Sequence, residues 1–271
     1  MAYKLTGEKV IGLASTSYRR RLALQQIPGV EVVFVGGGEE PDTEDLVTVA
    51  LSKIAFAYPM ILQMCRRNNK ELSGVVAADT NTHIGVIENN DVRLASKKKP
   101  DSIQTPRKHF MRMSQLAKKM GEGYYEVSSS AALQDKTGTV AGTEVTRVVL
   151  HQEMIRLLAT PDGYAQYLAT FDNFYSSHAY SQNGLPPVTP QNLSGGISLP
   201  VLLKMGAVRA VDGVDLHRNT VRKVDETLHR ALLNVAVGFS PNVLEKIHPE
   251  AMQYLLQWSW LQNAVNEAQN R

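Results

Sequence analysis

The sequence predicts an α/β or α+β layer fold built on a mixed sheet, with a helical segment at the C-terminal end. Three observations predict it. Strand-like apolar runs alternate with helical patterns up to Thr80, a hairpin-like stretch occupies the middle, and the pattern beyond Val211 is mostly helical.

The elements follow in order. Lys9–Ala14 is an apolar strand that ends in Ser15-Thr16-Ser17. Residues 19–26 take up a helical pattern, with Ser15 or Ser17 as its cap. Val30–Val35 is a second strand, and Gly36-Gly37-Gly38-Glu39-Glu40-Pro41-Asp42 is a Gly-rich acidic loop. Residues 44–58 carry helical apolar spacing at Leu46, Val47, Ala50, Leu51, Ile54 and Ala55, with Asp42 or Thr43 as cap. That helix resumes after Pro59 through residues 60–66. Gly74-Val75-Val76-Ala77-Ala78 is a buried strand ending at Asp79-Thr80, and Asn89-Asn90-Asp91 is a turn between two short strands. Ser96-Lys97-Lys98-Lys99-Pro100-Asp101 is a basic loop, and Thr105–Met120 is a helix with Pro106 in its first turn. Residues 124–133 and 144–150 alternate as strands joined through Asp135-Lys136-Thr137-Gly138. Short helices at 155–158 and 164–169 flank Pro161, residues 173–196 form a polar loop, and residues 199–205 begin another helix. Helical stretches at 221–237, 243–247 and 249–268 complete the chain, which has no internal repeat.

Composition bounds the function. The chain has 271 residues, 43% hydrophobic and 20% charged, enough apolar content for a sizeable core. A net charge of +3 suits an anionic substrate but is too small to argue for nucleic acid. The single cysteine, Cys65, excludes an intramolecular disulfide and any multi-cysteine zinc site; it reads as a buried or half-buried helix residue. No apolar leader follows the start and no run reaches transmembrane length, so a cytoplasmic location without a membrane partner is expected.

The most informative stretch is Val10-Ile11-Gly12-Leu13-Ala14-Ser15-Thr16-Ser17-Tyr18-Arg19-Arg20-Arg21. Strand, hydroxyl-rich turn and helix N-terminus bring free N–H groups and a positive dipole end together, and arginine forks suit phosphate oxygens. The segment reads equally as a polyphosphate grip or as a basic, solvated first turn. Asp79, at a strand end, is either a metal-binding or water-activating carboxylate or the acid of a turn. Lys97-Lys98-Lys99 is a phosphate contact or a solvated face. Glu39 and Glu40 are oxygen ligands for a divalent metal or part of a mobile acidic loop; the three glycines before them lack the Gly-Lys-Ser/Thr of a P-loop. Lys53 reaches the surface from an apolar helix or points across a cleft toward phosphate. The histidines have no metal-binding spacing. Trp258 and Trp260 do not share a helix face and read as packing or partner residues.

Together these pieces resemble the Maf family of nucleoside triphosphate pyrophosphatases. Leu13-Ala14-Ser15-Thr16-Ser17-Tyr18-Arg19-Arg20 resembles that family's Leu-Ala-Ser-x-Ser-Pro-Arg-Arg opening, and Ala50-Leu51-Ser52-Lys53 its Ala-x-x-Lys helix. Val76-Ala77-Ala78-Asp79-Thr80 resembles its Ala-Asp-Thr strand end, and Lys99-Pro100-Asp101 its Gly-Lys-Pro segment. Gly142-Thr143-Glu144-Val145, Ala179-Tyr180-Ser181-Gln182 and Ser194-Gly195-Gly196-Ile197-Ser198-Leu199-Pro200 resemble later motifs in the same order, from about residue 10 to 206. The chain departs from the pattern at Tyr18, at Asn81-Thr82, at Lys98 and at Ser177-His178. Its glutamine loop is also shortened around Gln182.

The resemblance implies an α/β fold whose mixed, twisted sheet is flanked by helices around a substrate cleft. It covers 1–210, with 211–271 as a helical extension. It implies hydrolysis of a nucleoside triphosphate, of the non-standard, modified or pyrimidine classes, to monophosphate and pyrophosphate. Ser15, Ser17, Arg19, Arg20, Lys53, Thr80 and Gln182 would bind substrate, with Gln182 on base or ribose. Asp79 and Lys99 would be catalytic, Asp79 activating water while Lys99 holds phosphate. Mg²⁺ or Mn²⁺ would be held by Glu39 or Glu40 with Asp79, and a homodimer is compatible with this reading. The departures imply an altered substrate. Two rival readings remain: a non-catalytic nucleotide-binding regulator on the same fold, and an interaction protein acting through its helical tail.

Overall fold

Four buried apolar side chains, Val10, Ile11, Leu13 and Ala14, carry the first strand, β1 (Lys9–Ala14), through the core. The computed structural model describes residues 9–43, 45–88, 91–96, 105–120, 122–177, 195–212, 214–216 and 226–256. After β1 come α1 (Tyr18–Gln25), β2 (Val30–Val35), α2 (Leu46–Arg67), β3 (Leu72–Glu88), β4 (Asp91–Ser96) and α3 (Thr105–Met120). There follow β5 (Glu122–Asp135), β6 (Gly138–Leu150), α4 (Gln152–Ala159), α5 (Pro161–Ser177) and α6 (Gly195–Lys204). The described chain closes with β7 (Val208–Val211), β8 (Val214–Asp215), α7 (Glu226–Val237), α8 (Pro241–Ile247) and α9 (Ala251–Leu256). The strand order is β2-β1-β3-β5-β6-β7-β8, with β4 paired to β3. β1 pairs in parallel with β2 and β3, whereas β3–β4, β6–β7 and β7–β8 are antiparallel. The result is an α/β fold on a mixed sheet with flanking helices, as the sequence predicts.

The chain divides into two compact units that interleave in sequence. The first comprises residues 1–80, 129–144 and 237–258; the second comprises 81–128, 145–236 and 259–271. Residues beyond 210 are therefore shared, and Val237–Trp258 belongs to the same unit as β1, α1, β2 and α2.

In the first unit, β1 lies between β2 and the start of β3, with Gly12 level with Val33 and Val75. The β1–α1–β2 and β2–α2–β3 crossovers run across the sheet in opposite directions, so right-handed connections put α1 and α2 on opposite faces of it. α2 packs on β1 and β2 through Val49, Ala50, Ile54, Ala57, Ile61 and Cys65. Gly12 is what permits the approach: a Cβ there would stand 2.8 Å from Ile61 Cγ2 and 2.9 Å from Val75 Cγ2.

Two readings of α2 are corrected here. Pro59 does not interrupt it. Its N-cap is Asp45, whose carboxylate accepts from the Val47 and Thr48 N–H groups, and not Asp42 or Thr43. At 22 residues α2 is also long and apolar enough to cross a membrane by length and composition alone, contrary to the reading that no run reaches that length. Its buried face nevertheless sits in the core of the unit.

In the second unit, β6, β7 and β8 form an antiparallel meander, and α3, α4, α5 and α6 pack in succession. Strand β8 lies where the pattern beyond Val211 reads as mostly helical, and β7 lies in a stretch to which the sequence pattern assigns no element. Tyr167 is the aromatic centre of this layer. Its ring lies 5.8 Å from Phe110, 5.7 Å from Tyr164 and 6.2 Å from Phe171, and its hydroxyl hydrogen-bonds Ser198 Oγ at 2.8 Å.

Candidate functional site

The site candidate lies where β3 outruns β1. The last paired residues are Leu13 and Val76, and β1 ends one residue later, whereas β3 continues through Asp79 and Thr80 to Glu88. Asp79 is thus within a long strand, not at its end as the sequence suggested. The end of β1 sets the placement instead, because where a parallel strand stops, its neighbour's following residues face the turn that succeeds it.

That turn is Ser15-Thr16-Ser17. The Ser17 N–H donates to Ser15 Oγ at 3.1 Å, a local hydroxyl-to-backbone turn. Ser17 stands at the N-cap of α1 but its side chain makes no capping bond. The first turn of α1 then brings Arg20 inward. Its Nη1 donates to the Ala78 carbonyl at 2.7 Å and to Ser15 Oγ at 3.4 Å. The Phe239 ring lies 5.9 Å from the guanidinium carbon. Gly238 sits against the same group: its φ is +69°, and a Cβ there would stand 2.6 Å from Thr80 Cγ2 and 3.1 Å from Arg20 Nη2. Burial pushes the Arg20 guanidinium down to about 10; Asp79 and, more weakly, Glu40 favour its charge, and Arg19 opposes it. It remains charged at neutral pH, so a buried cation stands beside Asp79.

Lys53 approaches from α2. Its ammonium donates to Asp79 Oδ1 at 3.0 Å and pairs with Glu40 Oε1 at 2.8 Å. The Lys53 and Asp79 side chains are only 9% and 11% exposed, while Glu40 is 44% exposed. The Gly-rich loop reaches this point because Gly37 lies on the Lys53 stem, where a Cβ would stand 2.5 Å from Cγ. Gly38, at φ +72°, lies on the Phe56 ring.

The structure therefore brings Ser15, Arg20, Lys53, Asp79 and Glu40 into one constellation. Ser17, Arg19 and Thr80 are on the same turn, helix and strand. Glu39 is exposed in the loop. Lys99 and Gln182 lie outside the described residues. Among the described residues, no three His, Cys, Asp or Glu side chains gather as a metal group. Glu40 and Asp79 do not fit a resident Mg²⁺ or Mn²⁺ as arranged here: the Lys53 ammonium already lies between them and takes the place of a cation.

Sequence reasoning missed Gly238, Phe239 and the Ala78 carbonyl. Gly238 just after α7 and Pro241 at the start of α8 do signal a turn, but nothing local says that the turn meets Arg20. A scan against family models finds no match, and no curated protein matches the chain.

Proposed function

We propose that the chain is a nucleoside triphosphate pyrophosphatase of Maf-like type. The observation that carries this reading is the Lys53–Asp79 pair at 3.0 Å beside a buried, charged Arg20, where β1 ends and β3 runs on past it. It is supported by the co-linear motifs, four of whose residues (Ser15, Arg20, Lys53 and Asp79) meet here from three separate stretches of sequence.

In this reading Arg19, Lys53 and Lys99 neutralise the phosphate oxygens, and the Ser15–Ser17 turn adds hydroxyl and N–H donors. Arg20 is turned inward; it holds the turn against β3 and supplies positive charge from beneath. Asp79 accepts a proton from water as the water oxygen bonds to the α-phosphorus. The bond from that phosphorus to the bridging oxygen breaks, and its electron pair leaves with pyrophosphate. A divalent cation enters with the nucleotide as its counter-ion, and no step is assigned to a resident metal. Gln182 contacts base or ribose.

The regulator reading has one observation in its favour: the Lys53 charge is already matched by two carboxylates. Turnover separates the two. Pyrophosphate release is measured over a panel of standard, deaminated and methylated nucleoside triphosphates with Mg²⁺ or Mn²⁺. Release from at least one nucleotide supports the enzyme. Triphosphate binding by folded protein without release from any nucleotide supports the regulator.

A further inference from the structure

We propose that Glu40 is a displaceable latch on Lys53. Its carboxylate holds the ammonium while the site is empty of substrate and gives it up to a phosphoryl oxygen of the incoming polyphosphate. This rests on the triphosphate reading of the site and adds to it the way the site opens.

The two partners of Lys53 differ in kind. Asp79 is fixed in β3 and only 11% exposed, whereas Glu40 comes from a loop and is 44% exposed. Water screens the Glu40 carboxylate and its side chain must be ordered to make the contact, so this arm of the pair is weaker than the buried one to Asp79. Of the two contacts, the one to Glu40 at 2.8 Å is the one an outside anion can replace.

The loop is seated for this task. Gly37 lies on the Lys53 stem and Gly38 on the Phe56 ring, three residues along α2, and neither place admits a Cβ. The backbone thus lies flat on α2 as far as Gly38, and Glu40 reaches back to Lys53 from beyond the anchored part. An incoming phosphate oxygen takes over the contact with no loss of opposite charge on Lys53. The released Glu40 carboxylate is then repelled by the polyphosphate, which favours the open loop. Asp79 keeps its contact with Lys53 throughout and stays aligned for its proton.

The test is calorimetric titration of inorganic tripolyphosphate, without divalent metal, into the whole protein and into Glu40→Gln, Lys53→Met and the double variant. The latch predicts that Glu40→Gln binds about threefold to tenfold more tightly than the parent chain, and that this gain disappears in the Lys53→Met background. Because Glu40 is an exposed loop residue, Glu40→Gln keeps the fold, and a circular dichroism melt of each variant checks this. Unchanged affinity in Glu40→Gln, with the parent chain binding, overturns the latch and leaves the triphosphate site standing. Weaker binding makes Glu40 a ligand-side residue and also overturns it. No binding by any form overturns both the latch and the site reading.

Discussion

Lys53 is buried to its tip yet carries two carboxylates, and Arg20 is buried yet charged; neither arrangement is what a solvated basic face would give. Breaking such a group on one side leaves a buried charge uncompensated. On the proposed reading, Asp79→Asn keeps the shape and removes the proton acceptor, so pyrophosphate release should fall by ~10²–10⁴-fold while the melting curve still shows a folded protein. Cys65 is fully buried in α2, and burial pushes its thiol above the ordinary range. It should therefore stay unreactive to a thiol reagent in the native protein and react once in denaturant. Rapid native labelling would contradict the packing described. Ser15, Arg20, Lys53 and Asp79 are legible as candidates because each stands in a recognisable local setting, a strand-end turn, a helix first turn, an apolar helix and a buried strand, and the structure brings them together. The inward turn of Arg20 is not legible, because its partner is a backbone carbonyl 58 residues away in the chain.

At the scale of elements, α2 does two jobs: it closes the sheet and it delivers Lys53. Its helical spacing was plain in the sequence, and so was Thr105–Met120. Its cap was misplaced because Asp42, Thr43 and Asp45 are all acceptable capping types, and only the entry of the backbone into the helix selects among them. Asp45→Ala removes acceptors for two N–H groups and should cost about 1 kcal/mol in a denaturant titration. Gly12→Val places side-chain atoms where Ile61 and Val75 already stand and should cost about 1–3 kcal/mol, or more if α2 cannot shift. The length of β3 was underestimated because Asp79, Thr80, Asn81 and Thr82 are polar. Polar residues read as a strand end even where the ladder continues.

For the whole molecule, the alternation of early strands and helices predicted the α/β class. The interleaving of the two units was hidden, because it depends on the long strands β3, β5 and β6, whose halves fall in different units. Linear reading places a boundary along the chain, and here compactness cuts across it. The aromatic layer has a consequence for alkaline pH. Burial pushes Tyr164 up to about 12, raises Tyr167 further and holds Tyr125 well above the ordinary phenol value. These phenols stay neutral in the folded state at a pH where the unfolded chain, with phenols near 10, has begun to lose protons. An acid raised on folding stabilises below its unfolded value and loses that contribution as pH climbs. Arg20, lowered to about 10, acts in the opposite sense over the same range, but it is one group against three. Denaturant midpoints should therefore fall between pH 10 and 12, and a flat profile there would contradict the buried tyrosine layer.

The measurement that tests the central claim most directly is hydrolysis in ¹⁸O-labelled water, using the best nucleotide of the panel, with the parent chain and with Asp79→Asn. Attack at the α-phosphorus by water from this site predicts the label in the nucleoside monophosphate, unlabelled pyrophosphate, and loss of the reaction in the variant. Label in pyrophosphate or phosphate, or a rate unaffected by Asp79→Asn, would contradict the account.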